Sequence, residues 1–455
     1  MALRDLLHNL PEVKGPTEKK VSFNVKLKWT LVILVSYFVL ANIPLFGISG
    51  GSLSRFEYLA ILMGTSFGSI ISLGIGPIVM SSIILQLLSG AQILNIDTNT
   101  EEGKRFFQGM QKLLAFAFVI FEAMIYVIMK GIQAEPGFMG LVIFQLCLGG
   151  FLIIFMDEVI QKWGFGSGVS LFIAGGIGWR LFTQLFQFIG TQGTLEASGK
   201  VWALISAIIM GDGVGAAWAI FPIIVTIFLF LAVIFAQSLK VEVPLAFDRV
   251  RGQSIKWPLQ FFYTGVIPVI LVSALAANLQ LFASLLQNWM GHATFLGGFS
   301  SSGSPISGIA YWINSTPLLE TIIKGSFRWI YVAQAFFHVL FYVSFSVLFA
   351  FFWVGTSGQD ARSQAKKIMS SGMNMPGFRK DERVMESILK RYVTPLTVMG
   401  GAAVGLLASV ANLFGALVGG TAILLMIMIL YQLYQNIAQQ HAVDMNPALK
   451  GFFGA

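Results

Sequence analysis

Charged side chains are scarce in this chain. Asp, Glu, Lys and Arg make up 11% of its 455 residues, whereas hydrophobic residues make up 56%. A soluble globular domain carries about 25% charged residues. Because so few charges cannot cover a water-facing surface, lipid must cover most of the molecule. The composition therefore excludes a soluble domain and predicts a membrane protein.

Cysteine and histidine are also rare, which excludes several kinds of site. The single cysteine, Cys147, lies inside an apolar run, so neither a disulfide framework nor a cysteine-based metal site can form. The four histidines stand far apart in the sequence, at His8, His292, His338 and His441. No two of them have the spacing of metal ligands. We therefore expect no metal and no cofactor.

Long apolar runs are what the sequence does have. A helix that crosses a bilayer needs about 20 mostly apolar residues. Ten runs approach that length, and we expect spans near 29–48, 74–90, 112–130, 138–156, 169–188, 216–237, 259–280, 329–354, 394–413 and 418–435. The ninth run contains small residues at Gly400, Gly401, Gly405 and Ala408, which predicts close packing against another helix.

Positive charge is shared unevenly between the loops that join these runs. If the N-terminus is cytoplasmic, 23 of the 29 Lys and Arg residues fall on the cytoplasmic side and 6 on the other. Cytoplasmic loops of membrane proteins carry an excess of Lys and Arg. We therefore predict that both termini are cytoplasmic. The same bias accounts for the net charge of +8 without a nucleic-acid partner.

The ten runs divide into two sets of five that cross the membrane in opposite directions, as in an inverted repeat. We expect an all-α membrane protein with ten transmembrane helices in two pseudo-symmetric inverted halves. The predicted parts are a cytoplasmic amphipathic N-terminus (1–28), an N-terminal half (29–190), an external hinge loop (191–215), a C-terminal half (216–440) and a cytoplasmic tail (441–455). The C-terminal half carries two long cytoplasmic loops, 238–258 and 357–393, and the second is expected to be helical near 381–390.

An eleventh segment, roughly 52–70, is too short and too polar to cross a membrane. Arg55 and Glu57 lie inside it, and glycines separate it from a span with Pro77 in its first turn. Proline suits a first turn because its missing N–H would have no partner there. One interpretation is an external helix on the membrane surface. The other is a short re-entrant plug helix, because non-spanning backbone survives at membrane depth only inside protein or a water-filled cavity.

One run of residues is similar to a known family signature. Residues 72–86 (SLGIGPIVMSSIILQ) resemble the start of the second span in the SecY family. Other motifs agree in the family's order and spacing. They are PEV (11–13), KLKWT (26–30), FQGMQKLL (107–114), GSGVSLFI (166–173), VEVPLA (241–246), IPVIL (267–271), ANLQ (277–280), GFRK (377–380) and PLTVM (395–399). The match runs essentially end to end and is archaeal rather than bacterial in character.

The resemblance implies the central, pore-forming subunit of a Sec protein-conducting channel. Such a subunit translocates unfolded secretory polypeptides across the membrane and releases transmembrane segments sideways into lipid. It is not an enzyme, so no catalytic residue is expected. The energy must come from a partner, because no nucleotide-binding P-loop occurs in the sequence.

The resemblance also implies a pore ring of aliphatic side chains. Its positions fall on Ile75, Val79, Val169, Ile173, Ile267, Ile270 and Leu425. An aliphatic ring has no charge to bind a passing peptide, and it dewets when empty. The spacing agrees, because three pairs lie three or four residues apart and so share a helix face. Without the resemblance, such pairs are more often packing or lipid contacts.

The same resemblance places the plug at about 52–68, where it would seal the outer side of the ring. The plug residues are Arg55, Phe56, Tyr58, Leu59, Leu62 and Met63. Their mixed polarity fits an element that leaves an apolar seat for an aqueous vestibule when the channel opens.

Two polar residues inside spans match family positions of a lateral gate, between spans two and three and spans seven and eight. They are Glu122 and Asn278. A hydrogen-bonded pair there would be worth roughly 0.6–2 kcal/mol, enough to hold the gate shut without preventing its opening. The third family position, usually a hydroxyl residue, is Met80, which leaves Ser81 or Ser82 as substitutes. The alternative for Glu122 is a carboxyl near the interface or packed in its neutral form.

Four basic residues on the two long cytoplasmic loops match docking positions of the family. They are Arg249, Arg251, Arg379 and Lys380. In the family these loops dock the ribosome or, in bacteria, a motor ATPase, and the fork of Arg binds phosphate bidentately. The alternative is ordinary positive-inside charge. The family's other partners are a SecE/gamma-type and a beta-type small membrane subunit, signal sequences, nascent chains and, indirectly, the signal-recognition receptor system.

A secondary transporter for small solutes is the main competing interpretation. It too would show ten spans, opposed repeats and a broken segment, but it needs a polar and often charged midplane site. The candidate lining here is aliphatic. An intramembrane enzyme is a weaker alternative, because HExxH is absent and residues 165–168 (FGSG) lack the first glycine of a GxSG motif. His338 also has no nucleophile paired with it in the sequence.

Overall fold

Long apolar helices dominate the structure. The computed structural model describes residues 10–17, 21–48, 68–90, 93–94, 96, 100–129, 131–187, 199–247, 254–300, 303–370, 373–374 and 381–445. Its main core is a single apolar cluster to which most of the long helices contribute. The predicted fold class, an all-α membrane protein, is confirmed.

The helices follow the order of the predicted spans, with shifted ends. The first group is α1 (Phe23–Ala41), α2 (Gly76–Gly90), α3 (Glu101–Ile128), α4 (Met139–Trp163) and α5 (Gly168–Phe186). The second group is α6 (Lys200–Met210), α7 (Gly213–Ser238), α8 (Ile267–Met290), α9 (Gly308–Ile313), α10 (Leu318–Ile323), α11 (Ile330–Thr356), α12 (Ala361–Ser370), α13 (Glu382–Phe414) and α14 (Gly420–Met445). The expected helix near 381–390 is the first part of α13, which continues into the ninth span.

Within the described part of the chain, nine helices are long and apolar enough to cross a membrane. The one remaining expected span, 74–90, is α2, which has only 15 residues. It is short because residues 68–75 form successive turns, for example with Ser72 N donating to Ser69 O at 3.0 Å. This irregular segment is buried, and Leu73 is 0% exposed. Burial in protein is what allows non-helical backbone at membrane depth.

The expected loop 238–258 is a β-hairpin. Strands β1 (Lys240–Phe247) and β2 (Ser254–Gln260) pair antiparallel, and β5 (Met373–Asn374) pairs with β1, giving the order β2-β1-β5. A separate two-stranded pair joins β3 (Gly298–Phe299) and β4 (Pro305–Ser307). The seventh span therefore does not begin at 259 as expected, because Gln260 still pairs with Lys240 in the sheet. It begins at Ile267, after a turn.

The expected external hinge at 191–215 is not a loop throughout. It contains α6, an apolar helix of 11 residues that ends at Gly211, whose φ is 72°. A left-handed glycine is a common helix terminator, since glycine has no Cβ to clash in that conformation. Asp212 then caps α7 by accepting hydrogen bonds from Val214 N and Gly215 N at 3.2 and 3.0 Å.

The small residues of the ninth span do produce close helix packing, as predicted. A Cβ built on Gly405 of α13 would lie 2.7 Å from Tyr342 O of α11. A Cβ on Gly401 would lie 3.0 Å from the Ala350 Cβ on the same helix. Only glycine permits this approach of α13 to α11.

Several segments that are distant in sequence meet at one end of the bundle. Lys26 of α1 donates to Gln440 Oε1 of α14 at 3.0 Å, and its Nζ lies 5.9 Å from the Phe165 ring centroid in the α4–α5 turn. Gln260 of β2 donates to Gln435 of α14 at 3.2 Å. We call this end, which holds the α4–α5 turn and the β1–β2 hairpin, the inner end. The opposite end, which holds the α13–α14 turn, is the outer end.

Candidate pore and gate

The seven residues expected in the pore ring belong to the main apolar cluster. Five are buried: Ile75, Val79, Ile173, Ile270 and Leu425. Val169 and Ile267 are partly buried and pack against the same cluster. All seven therefore lie in or against the same apolar core, although they come from parts of the chain up to 350 positions apart in the sequence.

Each of these residues lies close to the start of a helix. Ile75 immediately precedes α2, and Ile267 is the first residue of α8. The other five lie within the first two turns of α2, α5, α8 or α14. What precedes each helix therefore determines where the ring side chains sit. In the described chain, two groups of polar residues fix the starts of α5 and α14 and so position the predicted ring residues on those helices.

Asp157 holds the start of α5. Its Oδ1 accepts a hydrogen bond from Val169 N at 3.0 Å, and its Oδ2 accepts one from Gln161 Nε2 at 2.8 Å. A carboxylate suits a helix N-terminus, where N–H groups lack partners within the helix and the dipole is positive. Gly168 permits the contact, because a Cβ there would lie 2.6 Å from Asp157 Cα. Asp157 therefore ties the backbone of Val169 to α4.

Sequence reasoning missed Asp157. The available signal was an acidic residue at the end of an apolar run, a few positions before the glycine-rich motif at 166–173. That pattern is equally typical of a charge at the membrane surface. Only the return of the chain into α5 shows that its carboxylate is used as a helix cap.

A buried polar group holds the start of α14 at the outer end. The His338 Nδ1 contacts Ile313 O, and this contact requires a proton on Nδ1. The Nε2 atom of His338 is then free to accept from Asn412 Nδ2, which lies at 3.3 Å. Asn412 Nδ2 also donates to Thr421 Oγ1 at 2.6 Å, and Thr421 N donates to Asn412 Oδ1 at 2.9 Å. The group therefore fixes Thr421 one turn before Leu425.

A cavity of about 320 Å³ lies at the inner end beside the ring. Four ring residues contribute to its wall: Val79, Val169, Ile267 and Ile270. Its polar lining consists of three serines and five amide side chains, which are Gln86, Gln111, Gln161, Gln432 and Asn436. Among the lining residues that the structure describes, Asp157 alone can ionise. A polar chamber with one acidic side chain thus adjoins four of the predicted ring residues.

The two gate candidates are both buried but are not shown bonded to each other. Glu122 on α3 is 0% exposed, and Asn278 on α8 is 1% exposed. Asn278 Nδ2 donates to Ala274 O of its own helix at 2.9 Å. In the described part of the chain, both carboxylate oxygens of Glu122 and the Oδ1 of Asn278 lack hydrogen-bond partners. Unpaired buried acceptors are unfavourable, so both residues gain if a rearrangement supplies donors.

The two serines considered as gate hydroxyls have other partners. Ser81 Oγ donates to Ile78 O of its own helix at 2.7 Å. Ser82 Oγ accepts from Gln111 Nε2 of α3 at 2.5 Å. Ser82 therefore links α2 to α3, on one side of the expected gate.

An ionic cluster fastens the N-terminal segment to the inner end. Lys162 forms ion pairs with Glu12 and with Glu158, the second at 3.0 Å, and Lys112 pairs with Glu158 at 2.8 Å. The hydrogen bond from Lys162 holds the pKa of the Glu12 carboxyl below its usual value. The segment around Glu12 is thereby held beside the α4–α5 turn.

Two groups of predicted residues lie outside the described residues. They are the plug residues Arg55, Phe56, Tyr58, Leu59, Leu62 and Met63, and the docking residues Arg249, Arg251, Arg379 and Lys380.

The chain is similar to known proteins along nearly its whole length. The family model SecY matches residues 69–434. A relative from Methanothermobacter thermautotrophicus, "Protein translocase subunit SecY", is 42% identical over 452 residues, covering 98% of this chain and 97% of the relative.

Two solved structures share the fold. "The structure of a protein conducting channel" has a TM-score of 0.83 and 36% identity, and the match covers 98% of this chain and 99% of that chain. "Sec61 in the Canine ribosome-channel complex from the endoplasmic reticulum" has a TM-score of 0.80 and 36% identity, with the same coverage of both chains.

Proposed function

This chain belongs to the SecY family, and on that premise we propose that it works as the central, pore-forming subunit of a Sec protein-conducting channel. Its relative from Methanothermobacter thermautotrophicus is a protein translocase subunit, and a similar solved structure is a protein conducting channel. The observation that carries the proposal is that the seven aliphatic residues proposed to form a constriction lie in or against one apolar core, and that four of them line a polar cavity. An unfolded polypeptide can pass such a constriction because no charge within it binds particular side chains.

The polypeptide enters through the cavity at the inner end, passes the ring and leaves at the outer end. When no chain is present, the aliphatic side chains dewet the constriction and block ions. Sufficiently apolar segments leave sideways, because the bilayer solvates them better than water does. The chain itself is a conduit, and a partner supplies the energy.

The lateral exit lies between α2 and α3 on one side and α8 and α11 on the other. Glu122 and Asn278 belong to this gate, on α3 and α8. In support, both are buried and both retain unpaired acceptor oxygens among the described residues. A signal sequence or transmembrane segment that wedges these helices apart would change the surroundings of both side chains. The polar contribution to the closed gate is roughly 0.6–2 kcal/mol.

Two further parts of the channel are a plug and a pair of cytoplasmic docking loops. Residues 52–68 form a plug on the outer side of the ring and move away when a chain enters. Arg249, Arg251, Arg379 and Lys380 dock a ribosome, and contact with ribosomal RNA should weaken steeply with salt. A similar solved structure is of Sec61 in a ribosome-channel complex, which supports this choice of partner.

Membership of the SecY family also supports a proposal for the partner subunits and for the location of the protein. The channel assembles with a SecE/gamma-type clamp and a beta-type subunit. Exposed apolar side chains on α7, such as Phe228, Leu231 and Phe235, need either lipid or a partner subunit to cover them. The protein lies in the cell membrane with both termini in the cytoplasm, as its distribution of Lys and Arg favours.

Reconstitution tests the channel against the small-solute transporter. The complex is placed in proteoliposomes, with ribosomes translating a secretory polypeptide outside. The account predicts that the polypeptide becomes protected from added protease in vesicles that contain the complex. An Ile173→Arg variant should lose this protection, because a charge in the ring binds water and resists desolvation, whereas Ile173→Leu should retain it. Solute uptake without protection of polypeptide would support the transporter instead.

A further inference from the structure

We propose that the amide-lined cavity at the inner end binds the main chain of the entering polypeptide, whatever the sequence of that polypeptide. The inference rests on the proposed channel function and adds the chemical group that the site recognises. The five amide side chains of the cavity come from four helices: α2, α3, α4 and α14. They therefore surround the cavity rather than line one helix.

The chemistry of the lining matches the peptide group. A side-chain amide carries both a donor and an acceptor, as a peptide group does. Every substrate presents peptide groups, so amide walls can hold any chain, whereas charged walls would select by charge. Asp157 is the one ionisable side chain in the described lining, and its carboxylate oxygens already accept from Val169 N and Gln161 Nε2. The cavity is therefore suited to the main chain rather than to particular side chains.

Gln86 is the side chain that most clearly needs an outside partner. It lines the cavity and is 4% exposed. Its Oε1 has no hydrogen-bond partner among the residues that the structure describes. A buried acceptor without a donor is unfavourable. An N–H of a passing polypeptide would supply the missing donor.

The positions of the amides place the bound chain directly before the ring. Gln86 lies seven residues after the ring residue Val79 on α2, which is about two turns along the same helix face. Gln432 and Asn436 are four residues apart on α14 and so share a face. A main chain held here would be retained at the entrance of the constriction, which slows its backward movement between steps of the motor.

The backward sliding of a stalled chain tests this. A secretory polypeptide is stalled in proteoliposomes that contain the full complex, and the ribosome is then released. The segment at the inner end is either a glycine run or the same run of N-methylglycine, which lacks N–H groups. In the unaltered channel, the glycine chain should slide back about threefold more slowly or better, as the loss of one hydrogen bond implies. Protease access to the chain measures the rate.

Variants of the channel provide the second comparison. The combination Gln86→Met, Gln432→Met and Asn436→Leu removes three amides at similar volume. It should speed the sliding of the glycine chain and leave that of the N-methylglycine chain unchanged. Gln435→Met is the matched control, because Gln435 lies on the same helix but bonds Gln260 instead of lining the cavity.

Two results would overturn the inference. If both chains slide equally fast in the unaltered channel, main-chain N–H groups are not held there. If the triple variant retains the glycine chain as well as the unaltered channel does, the amides do not bind it. In both cases translocation itself would continue, so the channel function would stand. Failure of either chain to enter the unaltered channel would instead contradict the proposed function.

Discussion

At the scale of single residues, the predicted ring depends on polar groups that lie outside the ring itself. Val169 reaches its position because Asp157, on the preceding helix, accepts a hydrogen bond from its backbone N–H at 3.0 Å. The carboxylate is almost fully buried, at 7% exposure. A buried carboxylate is stable only when it is hydrogen-bonded. Asp157 is thus a positioning residue for the ring.

Removing this carboxylate should open the resting seal. We expect Asp157→Ala to lower the free energy of unfolding by about 2 kcal/mol, because hydrogen bonds to a charged group are lost. It should also raise the ion permeability of proteoliposomes that contain the idle channel. Asp157→Asn keeps an acceptor for Val169 N, so it should restore the seal. A leak that is equal in the alanine and asparagine variants would contradict the positioning role.

The positions of some of these residues in the fold could be predicted from the sequence, and the positions of others could not. The role of the ring side chains in a pore stays a prediction. Their place in the apolar core could be predicted, because they form aliphatic pairs at helical spacing inside motifs similar to a known family. Asp157 and Asn412 could not, because their partners, Val169 and Thr421, follow a change of chain direction. When the chain reverses direction between two residues, a single sequence does not show which backbone N–H a carboxylate or amide side chain will cap.

At the scale of elements, α14 is joined to α13 and α11 through one polar group. His338, Asn412 and Thr421 form it, and Gly420 allows the turn between α13 and α14 to close. A Cβ on Gly420 would lie 2.0 Å from the carbonyl carbon of Ala411. The tight turn and the hydrogen bonds together fix the direction in which α14 leaves the outer end. Leu425 is carried by the next turn of that helix.

Loss of the Thr421 hydroxyl should therefore weaken the C-terminal helices. Thr421→Val keeps the shape but leaves one Asn412 N–H without an acceptor, which should lower the free energy of unfolding by about 1 kcal/mol. Unfolding in mixed detergents measures this. Thr397→Val is the matched control, because among the described residues the Thr397 hydroxyl bonds Val393 O of its own helix alone, at 2.8 Å. An equal loss in both variants would show that the polar group contributes no extra stability.

Helices could be predicted where the apolar runs were long. Where the apolar runs were short, the predicted elements were wrong. The sequence predicts a loop where the hairpin β1–β2 lies, because its basic residues are typical of a cytoplasmic loop. Its alternating Val243 and Leu245, which are 0% and 1% exposed, were the available strand signal. They pack on a small second core with Leu259 under the sheet. The seventh span is predicted to begin too early because the apolar end of strand β2 resembles the start of an apolar helix.

At the scale of the whole molecule, the orientation in the membrane follows from the basic residues at the inner end. Lys256 lies on the exposed hairpin of that end, where its side chain is 72% exposed. Phe295 follows α8 at the outer end and is 82% exposed. Excess positive charge stays on the cytoplasmic side during insertion. The hairpin is therefore expected in the cytoplasm and Phe295 outside the cell.

Labelling of intact cells tests this orientation. Cys147→Ser removes the only native thiol. In that background, a membrane-impermeant maleimide should label Phe295→Cys in intact cells and Lys256→Cys only after the cells are opened. The reverse pattern would place the N-terminus outside and would contradict the expected topology.

The central claim is that polypeptide passes through the aliphatic ring, and disulfide crosslinking tests it most directly. In the Cys147→Ser background, Ile173→Cys is compared with Phe228→Cys, a side chain of α7 that is 69% exposed. A secretory chain with one cysteine is stalled in the reconstituted complex. The account predicts a crosslink at position 173 and none at 228. If the chain crosses the membrane while position 173 stays unlinked, the polypeptide takes another path and the ring assignment is wrong.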